Sequence, residues 1–328
     1  MRRPGVRPAR SLRWLGVALL TPMLFTTACE DGTTAPARSP DDVVVSRAFE
    51  PAELIPADLD LVVRVDLDRM KQGLGAESQA QIAERVATDP LVSKLLGGAR
   101  SVTLGLRGLD LGKGDHVVVI EADTSKLEIP AEFEEVPSTN DKVKLRVRKD
   151  AVLRSETQAI VILKDRAIAL VSPVETDAVL RIVKDGPDAS HGDPVAEGLM
   201  SLDYRTRRLE PALERKYPSA GRIIRDLRRV RGVADVAADG LGFDLEIVAK
   251  SAEAADRTAL FLSALRDGAK EEGLSAMLGR MKIEPLDAAV RVRLVLPPEL
   301  VLKAIRDSGD AAADPGAGLA APSEPAPP

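Results

Sequence analysis

Several short runs of the chain alternate apolar and polar residues with a period of two. Val143, Leu145 and Val147 are separated by Lys144 and Arg146, with Arg148 following. Phe243, Leu245 and Ile247 are separated by Asp244 and Glu246, while Val290, Val292, Leu294 and Leu296 surround Arg291 and Arg293. Successive side chains of a strand point to opposite faces, so each run predicts a strand with one wet face. Strands of this kind belong to antiparallel sheets whose other face is covered. Leu61 to Leu67, Val102 to Leu106, Val117 to Ala122, Ile160 to Leu163 and Ala167 to Val171 read as further strands.

The period shifts toward 3.6 between these runs, which predicts helices that cover the sheet. Thr88-Asp89-Pro90 has the form of a cap and a first-turn proline before Leu91, Leu95 and Leu96, with Gly97-Gly98 as the stop. Ser251 is placed to cap a helix that brings Ala255, Ala259, Leu262 and Leu265 to one face. Pro211 opens another helix carrying Leu213; Pro218 interrupts it before Ile223, Leu227 and Val230 resume the stripe. The expected class is α+β: antiparallel sheet with helices packed on one face.

The pattern repeats. Val63-Arg64-Val65-Asp66-Leu67 followed by helix matches Met200-Ser201-Leu202-Asp203-Tyr204 followed by helix. Ser172-Pro173-Val174-Glu175, a helix and Val183-Lys184-Asp185-Gly186 match Leu296-Pro297-Pro298-Glu299, a helix and Ile305-Arg306-Asp307-Ser308. Two similar lobes are therefore expected, residues 51–190 and 191–308. Leu54-Ile55-Pro56-Ala57-Asp58, Val62 to Asp66, the repeated plan and Asp193-Pro194 resemble an uncharacterised family of exported bacterial proteins and lipoproteins, over Pro51 to about Asp307. The resemblance implies the duplicated architecture and supplies no catalytic residues.

The beginning of the chain breaks this pattern. Arg2, Arg3, Arg7, Arg10 and Arg13 precede an almost wholly apolar stretch from Trp14 to Phe25, and no acid stands before Glu30. A helical span needs roughly 20 apolar residues, so this stretch reads as the h-region of a signal peptide over residues 1–28. Thr26-Thr27-Ala28-Cys29 resembles the lipobox of bacterial lipoproteins, with Thr26 in place of the usual Leu. The resemblance implies acylation of Cys29 after cleavage; the alternative is ordinary cleavage after Ala28, leaving Cys29 as a thiol. Cys29 is the sole cysteine, so no intramolecular disulfide supports the fold. Residues 29–50 then read as a tether and residues 309–328 as a disordered Ala/Pro tail.

Composition narrows the function. Removing five arginines with residues 1–28 from 46 basic residues leaves 41 against 51 acidic ones, a net charge of −10. An exported, acidic protein is not expected to bind nucleic acid, and scarce aromatics argue against stacking platforms for bases or sugars. Gly112-Lys113-Gly114 lacks the first Gly and the Ser/Thr of a P-loop, and Gly240-Leu241-Gly242 enters a strand rather than a helix. His116 and His191 are too few for a histidine metal site or triad. Asp58, Asp60, Asp66 and Asp68 form the best acidic cluster, but Asp68 reads as a cap, and Asp66 recurs as Asp203 as if both ended strands. No catalytic residue, cofactor or metal is expected.

One segment runs against the acidic trend. Arg205 to Arg231 carries ten basic residues against Glu210, Glu214 and Asp226. Placed on a helix, Arg222, Arg225, Arg228 and Arg229 would form a cationic face suited to an envelope protein, anionic lipid or acidic polysaccharide. The expected function is thus a lipoprotein of the cell envelope, lipid-anchored to a membrane through Cys29 and facing the periplasm or cell surface, with a non-enzymatic binding or scaffold role. The alternative is a carrier or sensor holding a lipid-like ligand between sheet and helices; an enzyme is the least expected.

Overall fold

The computed structural model describes residues 47–74, 95–108, 115–125, 127–138, 140–151, 156–164, 166–187, 198–205, 218–269, 272–297 and 300. The signal segment, Cys29, most of the tether, the Ala/Pro tail, Thr88-Asp89-Pro90, residues 112–114, His191, Asp193-Pro194, Pro211 and Leu213 lie outside them. In chain order the elements are β1 (Leu61–Asp66), α1 (Leu67–Leu74), β2 (Ser101–Leu106), β3 (His116–Glu121), β4 (Glu134–Val136), β5 (Val143–Val147), β6 (Ala159–Leu163), β7 (Ala167–Val171) and α2 (Pro173–Asp185). They continue with β8 (Met200–Arg205), α3 (Pro218–Arg225), β9 (Leu227–Ala237), β10 (Gly240–Ala249), α4 (Ala252–Gly268), α5 (Glu272–Leu278), β11 (Lys282–Leu286) and β12 (Ala289–Leu296).

Antiparallel pairing joins the strands into one sheet in the order β11-β12-β10-β9-β8-β1-β2-β3-β7-β6-β5-β4. The class is α+β, as the alternating runs imply. The two halves meet where β1 pairs with β8, from Leu61↔Tyr204 to Val65↔Met200, and so share a single sheet. Outward from β1 the order is β2, β3, β7, β6; outward from β8 it is β9, β10, β12, β11. The hairpins β6–β7 and β11–β12 turn at Lys164 (φ 42°) and Asp287 (φ 39°), the two non-glycine residues of positive φ among those described.

Helices cover both faces of the sheet, not one. Strands β6 and β7 are buried almost throughout, so neither face of this half can remain wet. Val117 and Val119 share a core with Val179 and Val183 of α2 and with Phe49, Leu54 and Leu59 of the segment preceding β1. Ile120, which points to the opposite face, packs with Leu67 and Met70 of α1, Leu95 and Phe133. In the other half, Ala254, Ala255 and Ala259 of α4 close over Ile247, Val290 and Val292. The Ser251 Oγ accepts from the Ala254 N–H at 3.2 Å, capping α4 as its sequence predicts.

Gly105 of β2 lets the segment before β1 lie close on the sheet, since a Cβ there would stand 2.5 Å from Leu59 Cδ1 and 3.1 Å from Ile55 Cγ2. Gly105→Val should therefore lower the unfolding free energy by about 2 kcal/mol, read from the urea midpoint, because the buried neighbours must shift to admit it.

Candidate binding surface

Charged residues in the half containing β8 to β12 follow two different logics. The first is a row across the face that α4 leaves uncovered. Register places Asp203 opposite Arg231, Arg231 opposite Glu246, Glu246 opposite Arg291 and Arg291 opposite Glu284, so the sign alternates over five strands. Arg291 also clasps Asp244, with its Nε 2.8 Å from Oδ1, and Arg293 reaches Glu284 at 3.2 Å. Cross-strand pairs of opposite charge fix register and neutralise one another, so this face carries little net potential. The hydrogen bond from Arg291, with lesser help from the Arg293 charge, holds the Asp244 carboxyl below its ordinary value. A carboxyl depressed in the fold contributes stability that is present above its unfolded pKa and is lost as pH falls through its folded one. Arg291→Gln should move the Asp244 titration back up toward the ordinary carboxylate value, as followed by NMR.

The second logic is a cationic corner formed where α3, β9, β10 and α4 meet. The continuous basic helix expected from sequence does not form: α3 ends at Arg225 and β9 begins at Leu227. The reason is tertiary. Ile223, Leu227 and Val230 fall at helical spacing, but an eleven-residue strand can pair along β8 and β10 on both sides. The four arginines singled out therefore separate. Arg222 and Arg225 are exposed on α3. Arg228 is exposed where the β9–β10 register shifts, and its guanidinium donates to the Lys250 carbonyl at 3.3 Å. Arg229 lies along the same sheet face as Asp203 and grips it, with Nε and Nη2 at 2.6 and 2.5 Å from the carboxylate oxygens. It belongs to the fold rather than to an exposed patch.

The acidic residues read from the sequence are also dispersed. Asp58 lies 2.8 Å from Arg107, and Asp60 accepts from the Gly108 N–H at 2.8 Å. At the other end of β1, Asp66 Oδ1 accepts from the Arg69 N–H at 2.9 Å and caps α1, the role expected of Asp68, which instead sits in the first turn. Asp203 lies inside β8, ion-paired and 4% exposed, so it does not repeat the strand-ending place of Asp66. No group of three metal-ligating side chains occurs among the described residues. His116 is buried at the start of β3, where its N–H donates to Ser172 Oγ at 2.9 Å.

Arg107 and Glu175, which the sequence reading overlooked, form an ion pair around the most deeply buried carboxylate among the described residues. Glu175 in the first turn of α2 is fully buried, and Arg107 just after β2 meets it with Nε at 2.6 Å and Nη2 at 2.9 Å. The bidentate carboxylate holds the guanidinium above its ordinary pKa. Sixty-eight positions separate the two residues, so no local pattern announces them.

No protein-family model matches the sequence, and no curated protein matches it. Solved structures do resemble the fold. Crystal form III of TP0453, a treponemal protein, aligns with a TM-score of 0.51 at 8% identity, over 79% of this chain and 99% of that one. Crystal form I of the same protein aligns with a TM-score of 0.48 at 9% identity, over 79% and 98%. At such identity the likeness is one of fold.

Proposed function

We propose that the chain is a lipid-anchored protein of the bacterial cell envelope, facing the periplasm or cell surface, with a non-catalytic binding or scaffold role. The observation that carries this reading is Thr26-Thr27-Ala28-Cys29 directly after an arginine-led apolar segment, with the sole cysteine at the position that lipid attachment requires. Several acyl chains on one N-terminus hold a protein stably, because each buried methylene adds to membrane affinity. No helix among the described residues is long and apolar enough to cross a membrane. The buried carboxylates Glu175 and Asp203 are each clasped by a guanidinium, which suits a structural use better than proton transfer.

Cys29→Ala tests the anchor. Expressed in a bacterium that processes lipoproteins, the parent chain should take up labelled palmitate and pellet with membranes, whereas the variant should take up none and move to the soluble fraction. Membrane partition unchanged by the substitution would refute the anchor.

A further inference from the structure

We infer that the corner formed by Arg222, Arg225, Arg228 and Lys250 is a second membrane contact, which rests on anionic lipid headgroups while the lipid on Cys29 holds the chain; it builds on the anchoring reading above. The four residues are exposed and come from α3, the start of β9 and the end of β10. Two hydrogen bonds tie Lys250 to the start of β9, and Arg222 and Arg225 lie in the last turn of α3 just before it. The Lys250 N–H donates to the Asp226 carbonyl at 2.8 Å, and the Lys250 carbonyl accepts from Arg228. Asp226, the acid within this run, pairs with Arg257 at 2.7 Å, and Glu253 and Asp256 of α4 are exposed acids nearby in sequence, so among the described residues Arg222, Arg225, Arg228, Lys250 and Arg257 outnumber them. The corner is thus cationic on a chain whose mature part carries an excess of acid.

The sheet places this corner far from the point where the tether enters. The Arg47 N–H donates to Asn140 Oδ1 between β4 and β5, at the opposite edge of the sheet from β11. Strands lie about 4.8 Å apart, so seven to eight spacings put β9 roughly 35 Å from that entry. The sequence separation of Cys29 and Arg47 allows a span of at most about 60 Å. An anchored molecule therefore has the bilayer within reach of both ends of its sheet, and anchoring turns a weak headgroup contact into an intramolecular one. Basic side chains near an anionic leaflet gain from its negative surface potential, which reaches only about one Debye length, so the contact must be direct.

The test uses the full acylated protein reconstituted into vesicles of phosphatidylcholine alone or with phosphatidylglycerol. Ala252→Cys carries a fluorophore beside the corner; Asp141→Cys carries one at the far edge. Flotation with neutral vesicles reports the anchor, and quenching of the fluorophore by a lipid-borne quencher reports the corner. Quenching at position 252 should rise severalfold when phosphatidylglycerol is present. It should vanish in 1 M salt, where the Debye length falls to about 3 Å, and in the variant with Arg222, Arg225, Arg228 and Lys250 all changed to Gln. Quenching at 252 that ignores headgroup charge, salt or the four substitutions would overturn the proposal, as would salt-sensitive binding of the corner to acidic polysaccharide with none to vesicles. A chain that fails to float on neutral vesicles would refute the anchor alone. Its salt-sensitive flotation on anionic vesicles, lost in the Gln variant, would still support the corner, and no flotation on either would overturn both. Circular dichroism of the Gln variant confirms that its fold is intact.

Discussion

Arg229→Ala is expected to lower the unfolding free energy by about 3 kcal/mol, whereas Arg222→Gln, a few residues earlier in the same basic run, should change it by less than about 0.5 kcal/mol. The difference lies in what each guanidinium faces. Asp203 is 4% exposed, and removing its bidentate partner leaves a buried carboxylate without its two short hydrogen bonds, with Arg205 at 3.6 Å and Arg231 across the strand as the nearby cations among the described residues. Arg222 faces solvent, where charges contribute little to folding. Urea denaturation of the two single variants measures the contrast. Changing Asp203 and Arg229 together to Ala should recover a substantial part of the loss, since the cost of the single change lies mostly in the stranded charge. A neutral Arg229→Ala would mean that the ion pair does not support the fold.

That contrast also marks how far the chain's pattern discloses its structure. Strands β5, β6, β7, β10 and β12 are legible within a few residues because one-sided alternation or a dense apolar run is a local property. The cap at Ser251 is legible for the same reason. Strand β9 is not: Leu227 and Val230 continue a helical stripe from Ile223 as readily as they fit a strand, and only the pairing with β8 and β10 decides between them. Strand β11 carries Pro285, which argues against a central strand; it forms as an edge strand, where the missing N–H costs nothing. The joining of both halves through β1 and β8 rests on contacts about 140 residues apart, beyond any local signal. The same holds for Arg107 and Glu175, and for the pairing with Asp203 that separates Arg229 from the exposed Arg222, Arg225 and Arg228.

Gly240→Val is expected to lower the unfolding free energy by about 4 kcal/mol, combining backbone strain with overlap in a packed site. Gly240 opens β10 after the Ala238-Asp239 turn with φ at +138°, a region that side-chain-bearing residues rarely adopt. A Cβ built there overlaps the Leu296 carbonyl oxygen and stands 2.8 Å from its carbon, both backbone atoms at the end of β12 that cannot rotate aside. Relief would require the β9–β10 hairpin to part from β12, which would open the core that Leu241 and Leu296 share. Gly268 is the counter-example: at the last position of α4 a Cβ meets nothing within 4 Å, so Gly268→Ala should be neutral or stabilise by up to about 1 kcal/mol through lower backbone entropy in the unfolded chain. Thermal unfolding of the two variants in parallel tests the register of the longest hairpin among the described residues. If Gly240→Val were tolerated as well as Gly268→Ala, β10 and β12 could not be paired with Leu241 opposite Leu296, and the cationic corner held in place by β9 and β10 would have to be rebuilt from a different register.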